Sequence, residues 1–362
     1  MIAANIGAVT SEFGVARISI RIGCRCAAEP LHRLGSMAFR YGLPLLLLQI
    51  VWLAATPWAA AVVPCLAGTF IAGEALFGVG SRTKTSGYYL YAWLPALIVP
   101  LQLGAIAAGT FIAADPALSP PRFVGLLLAV GTTSGVFGML AAHELIHGRR
   151  RIERLLGLVM LAGCGYMHFR ISHLQGHHRA AATPDDPATA RRGEDVYRFV
   201  LRSVVGQYRQ AWHAERRRSR VGESNRMLRY LAVTALIYAG VAILAGPRGV
   251  LFLALQSLLA VFILEVFNYI AHYGLMRRQG ADGRYEPLGP EHSWNTARRF
   301  SNWALLNAGG HSHHHAEPGR AYQHLGPVSG ALELPAGYGG SVLLALVPPL
   351  WYRVIDPRLP AN

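Results

Sequence analysis

The chain has 362 residues and a formal net charge of +15, and 52% of its residues are hydrophobic whereas only 15% are charged. About a quarter of the residues of soluble domains are charged, so this composition excludes an ordinary soluble protein and indicates an integral membrane protein. The basic surplus is almost entirely arginine, and it suits anionic membrane lipids or an acidic protein partner. We expect no nucleic-acid partner.

The N-terminal residues 1–36 lack the apolar core and the cleavage site of a signal peptide. We predict a poorly ordered cytoplasmic tail here, followed by a membrane domain over residues 37–362. Met37 is a second candidate for the true start. The four cysteines show no disulfide or zinc pattern, because Cys24 and Cys26 have no second pair.

Six apolar runs are long enough to cross a bilayer core, which takes about 20 helical residues. They cover approximately residues 39–56, 59–79, 89–113, 123–142, 228–246 and 249–271. Two shorter apolar stretches, 155–168 and 341–351, are predicted to be re-entrant, interfacial or packed against the bundle. The fold class is therefore predicted to be all-α, with six transmembrane helices.

The arginines predict the orientation of these six spans. With the N-terminus in the cytoplasm, every lysine and arginine outside the six spans except Arg122 and Arg248 falls in a cytoplasmic segment, as the positive-inside rule requires. The long cytoplasmic loop 148–227 contains a proline-rich turn at 183–187 and then a predicted helix from Val196 to Arg220.

Histidines gather in four motifs, each of which follows an apolar run or lies in the predicted cytoplasmic segments. They belong to the sequences HELIH, HLQGHH, NYIAHYG and HSHHH. The candidate ligands are His143, His147, His173, His177, His178, His272, His311, His314 and His315. Residues four apart on a helix share a face, so His143 pairs with His147, and His173 is expected to pair with His177.

Nine imidazoles exceed what one ion can use, since zinc normally takes four ligands. Imidazole suits zinc, copper, iron or nickel, and nine ligands divide sensibly between two ions that each keep an open position. The four motifs therefore predict a cytoplasmic-side metal centre with two ions.

Several polar residues near the motifs are candidates for orienting the ligand imidazoles. Glu265 and Asn268 precede His272 in the last span, where an ionisable residue is costly, although Glu265 is equally well explained as a helix–helix contact. The further candidates are Glu144, His168, Asp186, Asp195 and His313, of which His313 is also a conceivable ligand.

The HELIH motif also matches the zinc-protease signature H-E-x-x-H, with Glu144 as the general base. A zinc protease needs one more ligand beyond this pair, whereas this chain has three more histidine motifs. A metal transporter or sensor would instead need ligands along a path through the membrane.

The motifs together resemble those of the bacterial membrane alkane hydroxylases (alkane 1-monooxygenases) and their xylene-monooxygenase relatives, within the histidine-box desaturase and hydroxylase superfamily. The similar stretches are the segment His173–Glu194, NYIAHYGL at 268–275, HSHHHAEPGRAYQ at 311–323 and the C-terminal segment 334–358. The sequence departs from the family pattern at His313, where an aspartate is usual, and at Gly309-Gly310 before the last motif.

The resemblance implies that the nine histidines bind two non-haem irons and that O₂ is a co-substrate. It implies electrons from a rubredoxin and a flavin-dependent rubredoxin reductase, or from a ferredoxin-type donor. The implied reaction hydroxylates an apolar substrate from the bilayer, either an alkane methyl group or the alkyl group of an aromatic compound. A fatty-acyl desaturase or hydroxylase of the same superfamily is the main alternative.

The implied location is the bacterial inner membrane, with both termini and the active site on the cytoplasmic side. From the apolar pattern we also expect Trp52, Leu101, Phe137 and Phe262 to line the substrate route.

Overall fold

The computed structural model describes residues 61–80, 92–219, 222 and 224–360, and these residues are mostly helical. The longer α-helices are α1 (Val62–Phe77), α2 (Leu94–Ala114), α3 (Pro120–Thr133), α4 (Met139–Ile146), α5 (Arg151–Gly163), α8 (Val196–Ser219), α9 (Arg226–His272), α12 (Gly337–Ala345) and α13 (Pro348–Ile355). The short ones are α6 (Phe169–Ile171), α7 (His178–Ala180), α10 (Arg299–Ala304) and α11 (His311–Ala316).

Two π-helical segments interrupt the α-helices that carry histidines. The first, Ser134–Gly138, joins α3 to α4, and the second, Ser172–His177, joins α6 to α7. Three short 3₁₀ turns, Pro290–His292, Tyr322–His324 and Asp356–Arg358, follow later in the chain. Two two-residue strands, β1 (Trp294–Asn295) and β2 (Leu332–Glu333), pair in parallel.

Among the described residues, three continuous helices are long and apolar enough to cross a membrane: Leu94–Ala114, Pro120–Ile146 and Arg226–His272. Helix α1 is apolar but has only 16 residues. The helical prediction for the runs 89–113 and 123–142 is thereby confirmed, whereas the first predicted run, 39–56, lies outside the described residues. These helices indicate a membrane protein, and the total of six spans remains a prediction.

Helix α9 has 47 residues and consists of two arms that meet at Gly246. Gly246 has φ 62° and ψ −169°, a conformation that glycine adopts without steric cost, and Pro247 then starts the second arm. Tyr238 in the first arm lies close to Ser257 in the second, so the two arms fold back on each other as a hairpin. The two predicted runs 228–246 and 249–271 correspond to these arms.

Helix α5 follows the end of α4 and packs along α2 and α4. Arg150, just before α5, lies against the ring of Trp93 at the start of α2. At the other end, the Gly163 carbonyl accepts a hydrogen bond of 3.1 Å from Gln256 in the second arm of α9. The short stretch predicted at 155–168 thus belongs to a helix packed against the bundle.

The C-terminal part of the chain closes over the ends of the membrane helices. The predicted stretch 341–351 is divided between α12 and α13, because Pro348 begins a new helix. Glu74 near the end of α1 accepts hydrogen bonds from the backbone N–H and the hydroxyl of Ser301 in α10. This buried contact joins the first described helix to the segment that leads into α11.

Candidate metal centre

The structure brings all nine candidate histidines together in two adjacent groups. Cluster one contains His143, His147, His173, His178 and His314, and cluster two contains His177, His272, His311 and His315. The two clusters adjoin, since the rings of His178 and His315 have centroids 4.9 Å apart. The motifs therefore converge from the ends of α4 and α9, the second π-segment and helix α11.

Each cluster contains a triangle of imidazole Nε2 atoms. In cluster one, the three Nε2 atoms of His147, His173 and His178 are separated by 3.0, 3.0 and 3.2 Å. In cluster two, those of His272, His311 and His315 are separated by 3.0, 3.1 and 3.2 Å. Three neutral imidazoles that direct the same nitrogen at one point leave lone pairs there, which is the arrangement that a cation satisfies.

The second π-segment explains how the HLQGHH motif serves both clusters. The backbone N–H of His178 bonds to the His173 carbonyl, an i→i+5 hydrogen bond. This wider turn places His173 and His178 in the same cluster and directs His177 to the other one. The rings of His173 and His177 still stack with centroids 5.3 Å apart, as the i,i+4 spacing predicts, but their ligand atoms belong to different clusters.

The first π-segment precedes His143 and His147 by one to two turns. Ser134 at its start donates a hydrogen bond of 3.2 Å to Gln256 of α9 and accepts one of 2.8 Å from Gln102 of α2. Polar side chains from two neighbouring helices thus support the non-α backbone inside the membrane, as helix–helix hydrogen bonds do in bilayers.

Burial keeps the imidazoles outside the spans in the neutral form that binds metal. The pKa of His147 is lowered to about 2 by loss of solvent, with the neighbouring His143 and His177 adding to the effect. For His178 and for His173, His311, His314 and His315, loss of solvent lowers the pKa well below its usual value.

Two buried acceptors fix which nitrogen of the imidazole faces the second cluster. The Asp186 carboxylate lies 2.8 Å from His177 Nδ1, and the His292 carbonyl lies 3.2 Å from His272 Nδ1. Both acceptors require the proton on Nδ1, which leaves Nε2 free to bind an ion. The Nε2 atoms of His177 and His314 are buried and have no hydrogen-bond partner among the described residues. These residues therefore fit a resident metal.

Asp186 was among the expected neighbours of the ligands, and it does contact His177. Burial alone would raise the pKa of Asp186, but His177 and Thr189 outweigh that effect and lower it. The Thr189 hydroxyl donates to the same carboxylate oxygen at 2.7 Å, and the Ala188 N–H donates to the other at 3.1 Å. The carboxylate is thus held in place by the turn at 183–189.

Most other expected neighbours have different roles. Asp195 caps α8 by accepting from the N–H groups of Tyr197 and Arg198, and Glu265 contacts residues of α8 and Tyr166. His313 uses both ring nitrogens outside the clusters, with Arg320 and the Gly326 N–H. The contacts of Glu265 match the helix–helix alternative for this residue, and those of His313 match a polar neighbour of the ligands.

His168 packs between the rings of Tyr166 and Tyr208, and burial lowers its pKa to about 4. Glu144 accepts a hydrogen bond of 3.0 Å from the Tyr322 N–H. The backbone groups of Tyr322 and His292 have no signature in the sequence, because an N–H or a carbonyl is present at almost every position.

A mostly apolar cavity of about 70 Å³ lies against both clusters. Its polar wall includes His143, Glu144, Asn268, His311 and His314. The apolar wall includes Leu140, Leu264, Phe267, Leu305, Leu306, Leu325 and Tyr338. The residues expected from the sequence pattern, Leu101, Phe137 and Phe262, do not line this cavity, and Trp52 lies outside the described residues.

The fold and this centre define a class: a helical membrane protein whose histidine clusters suggest a bound metal beside an apolar cavity. The family model described as fatty acid desaturase matches residues 117–341, a segment that contains all nine histidines. Alkane 1-monooxygenase of Pseudomonas putida is 38% identical over 275 residues, which cover 74% of this chain and 68% of that protein.

Two further relatives place the chain more closely. Alkane 1-monooxygenase 1 of Pseudomonas aeruginosa is 38% identical over 283 residues, or 76% of this chain and 73% of that protein. The xylene/toluene monooxygenase hydroxylase component XylM of Pseudomonas putida is 30% identical over 247 residues, or 66% and 65%. The chain belongs to the alkane monooxygenase family, within the desaturase and hydroxylase superfamily. It is an oxygen-dependent membrane oxidoreductase of the hydroxylase type that acts on apolar substrates, and the zinc-protease interpretation of HELIH is wrong.

Proposed function

We propose that the chain hydroxylates an unactivated C–H bond of an alkane, or of an alkyl group on an aromatic ring, at a centre of two irons. The balanced reaction takes one substrate molecule, one O₂, two electrons and two protons, and it yields one alcohol and one water. The observation that carries the proposal is the pair of Nε2 triangles beside an apolar cavity.

The spacing of the nitrogens favours iron over zinc. A metal about 2.1 Å from three nitrogens that are 3.0–3.2 Å apart would subtend N–metal–N angles of about 90–100°, below the tetrahedral value of about 109°. Cluster one also offers five imidazoles, which is more than the four ligands of a tetrahedral zinc site. Cluster one would hold one iron and cluster two the other.

Bound irons would supply the activation of O₂, and the chain supplies the surroundings. The nine imidazoles would hold the ions, Asp186 and the His292 carbonyl orient His177 and His272, and the apolar wall of the cavity would position a hydrocarbon. That wall also excludes water, which would compete with the substrate.

Electrons are proposed to come from a rubredoxin and its flavin-dependent reductase, or from a ferredoxin-type donor. A separate cleft of about 920 Å³ borders His147 and is lined by Arg149, Arg150 and Arg320. Glu144, Glu153 and Glu317 line the same cleft, and Arg150 and Arg320 pair with two of them, so the proposal rests on access to cluster one through His147 and not on a positive surface.

The experiment is product analysis with the purified protein, a generic rubredoxin and its reductase, on a panel of alkanes, alkylbenzenes and fatty acids. We expect alcohols from the hydrocarbons and one atom of ¹⁸O₂ in each product. A double bond in an acyl chain, with no labelled alcohol, would contradict the proposal. Changing any one of the nine histidines to alanine is expected to abolish turnover, and near-normal activity of His143→Ala or His314→Ala would contradict the assignment.

A further inference from the structure

The second π-segment needs support from outside its own backbone. A π-turn is a rare local structure, and in an α-helix His178 would lie five residues from His173 without the i→i+5 bond that aligns the two in cluster one. Its first residue, Ser172, is 1% exposed, and the Ser172 hydroxyl lies 3.2 Å both from Gln207 Oε1 and from the Phe169 carbonyl. Gln207 belongs to α8, which packs along the segment.

Gln207 extends this contact to the second arm of α9. Its Nε2 group donates to Glu265 Oε1 at 2.9 Å and to the Ser203 hydroxyl at 2.9 Å. The Glu265 carboxylate also accepts from Ser203 at 2.6 Å and from Tyr166 at 3.1 Å. Gln207 is 2% exposed and Glu265 is fully buried, so no water replaces these bonds at the surface.

These contacts connect α9, which ends at His272 of cluster two, to the π-segment that contains His173 of cluster one. Glu265 lies seven residues before His272, and Ser172 lies directly before His173. The side-chain amide of Gln207 both donates to Glu265 and accepts from Ser172, so it joins two ligand-bearing segments through one group. Gln210, three residues further along α8, lies close above Gly176, where a Cβ would be only 2.0 Å from Gln210 Oε1.

We propose that Gln207 is a positioning residue that holds the π-turn at 172–177 against α9 and thereby keeps His173 and His178 in cluster one and His177 in cluster two. The inference rests on the proposed two-iron centre, because its consequence is the sharing of one histidine motif between two ions. Gln207 contacts neither cluster directly and acts through Ser172.

The test uses the full-length protein, purified in detergent without metal and titrated with ⁵⁷Fe(II). The measurements are iron affinity, iron per chain, the Mössbauer spectrum and the thermal midpoint of the metal-free form. The variants are Gln207→Leu, which removes all three side-chain hydrogen bonds of Gln207, and the single changes Gln207→Glu and Glu265→Gln. The double variant Gln207→Glu/Glu265→Gln exchanges the acid and the amide and restores a donor–acceptor pair.

A matched control is Tyr238→Phe, which removes a hydroxyl close to Ser257 between the two arms of α9, away from the clusters. We expect Gln207→Leu and both single changes to weaken iron binding about 10–100-fold and to change the Mössbauer spectrum. The double variant should recover iron binding to within about threefold of the unmodified protein. Tyr238→Phe should keep the original affinity and spectrum even where its thermal midpoint falls.

The inference is overturned if Gln207→Leu binds iron with the original affinity and spectrum. It is also overturned if the exchanged double variant binds iron no better than the single ones, a comparison that holds even where a single variant folds poorly. An unmodified protein that binds no iron would instead contradict the proposed function.

Discussion

Asp186 shows how one buried carboxylate acts on cluster two without touching an ion. It is 1% exposed, lies 2.8 Å from His177 Nδ1 and is held by Thr189 and the Ala188 N–H. A carboxylate in this position orients the imidazole and strengthens Nε2 as a ligand. The sequence predicted this neighbour only as one of several acidic residues that follow the HLQGHH motif.

We expect Asp186→Asn to weaken iron binding about 10–100-fold, because the amide is a poorer acceptor for the His177 N–H. The measurement is iron retained per chain across a chelator titration. Asp195→Asn is the matched control, since Asp195 caps α8 and asparagine caps a helix about as well as aspartate. Equal iron retention by the two variants would contradict the role of Asp186.

At the residue scale, the sequence predicted all nine histidines that converge, because their number and clustering exceed structural needs. It did not predict which histidine joins which cluster. That division depends on the i→i+5 bond between His173 and His178, and no residue type specifies a π-turn. The partners of Glu265 could not be predicted from the sequence either, since Ser203 and Gln207 lie on a helix that is distant in the sequence.

At the scale of the elements, Glu215 near the end of α8 forms ion pairs that connect α8 to the start of α9. The Glu215 carboxylate has no exposure and accepts hydrogen bonds from the backbone and the guanidinium of Arg226 and from Arg218. Burial alone would raise the pKa of Glu215, but the bonds to Arg226 and Arg218 outweigh it and lower the pKa to about 2.

Because the folded pKa lies below the ordinary value of 4.5, Glu215 stabilises the folded protein fully above about pH 4.5. This contribution is lost as the pH falls from about 4.5 to about 2. We expect Glu215→Gln to lower the free energy of unfolding by roughly 1.5–3 kcal/mol at pH 7. Between pH 4.5 and pH 2 the variant should lose less stability than the unmodified protein, because it has no carboxylate to protonate. The measurement is the thermal midpoint of both proteins in detergent at pH 2.5–7. If their midpoints differ by the same amount at every pH in this range, the ion pair is contradicted.

The existence and type of the apolar helices were predictable, because long apolar runs have few alternatives in a bilayer. The connections between these helices were harder to predict. The two predicted runs 228–246 and 249–271 form one hairpin, whose bend at Gly246 needs a positive φ. The single predicted stretch 341–351 became α12 and α13, because Pro348 cannot continue the preceding helix.

At the scale of the whole molecule, the ends of α4 and α9 and the start of α5 lie beside the clusters, and the arginines at 149–151 lie there too. This end is proposed to face the cytoplasm of a bacterial inner membrane, as the distribution of arginine predicts. The hairpin bend of α9 and the loop between α2 and α3 would then face the other side.

Cysteine labelling tests the orientation. In a chain whose four cysteines are replaced by serine, we expect Ala117→Cys to react with a membrane-impermeant maleimide in intact spheroplasts. Arg217→Cys, at an exposed position of α8, should react only after lysis. The reverse pattern would place the clusters on the outer side of the membrane.

The central claim is that one chain holds two irons in two separate histidine clusters. The most direct measurement is metal analysis with ⁵⁷Fe Mössbauer spectroscopy of the unmodified protein beside His314→Ala and His315→Ala, adjacent residues that belong to different clusters. We expect two irons per chain in the unmodified protein, and loss of a different iron signal in each variant. Zinc in place of iron, a single iron, or loss of the same signal in both variants would contradict it.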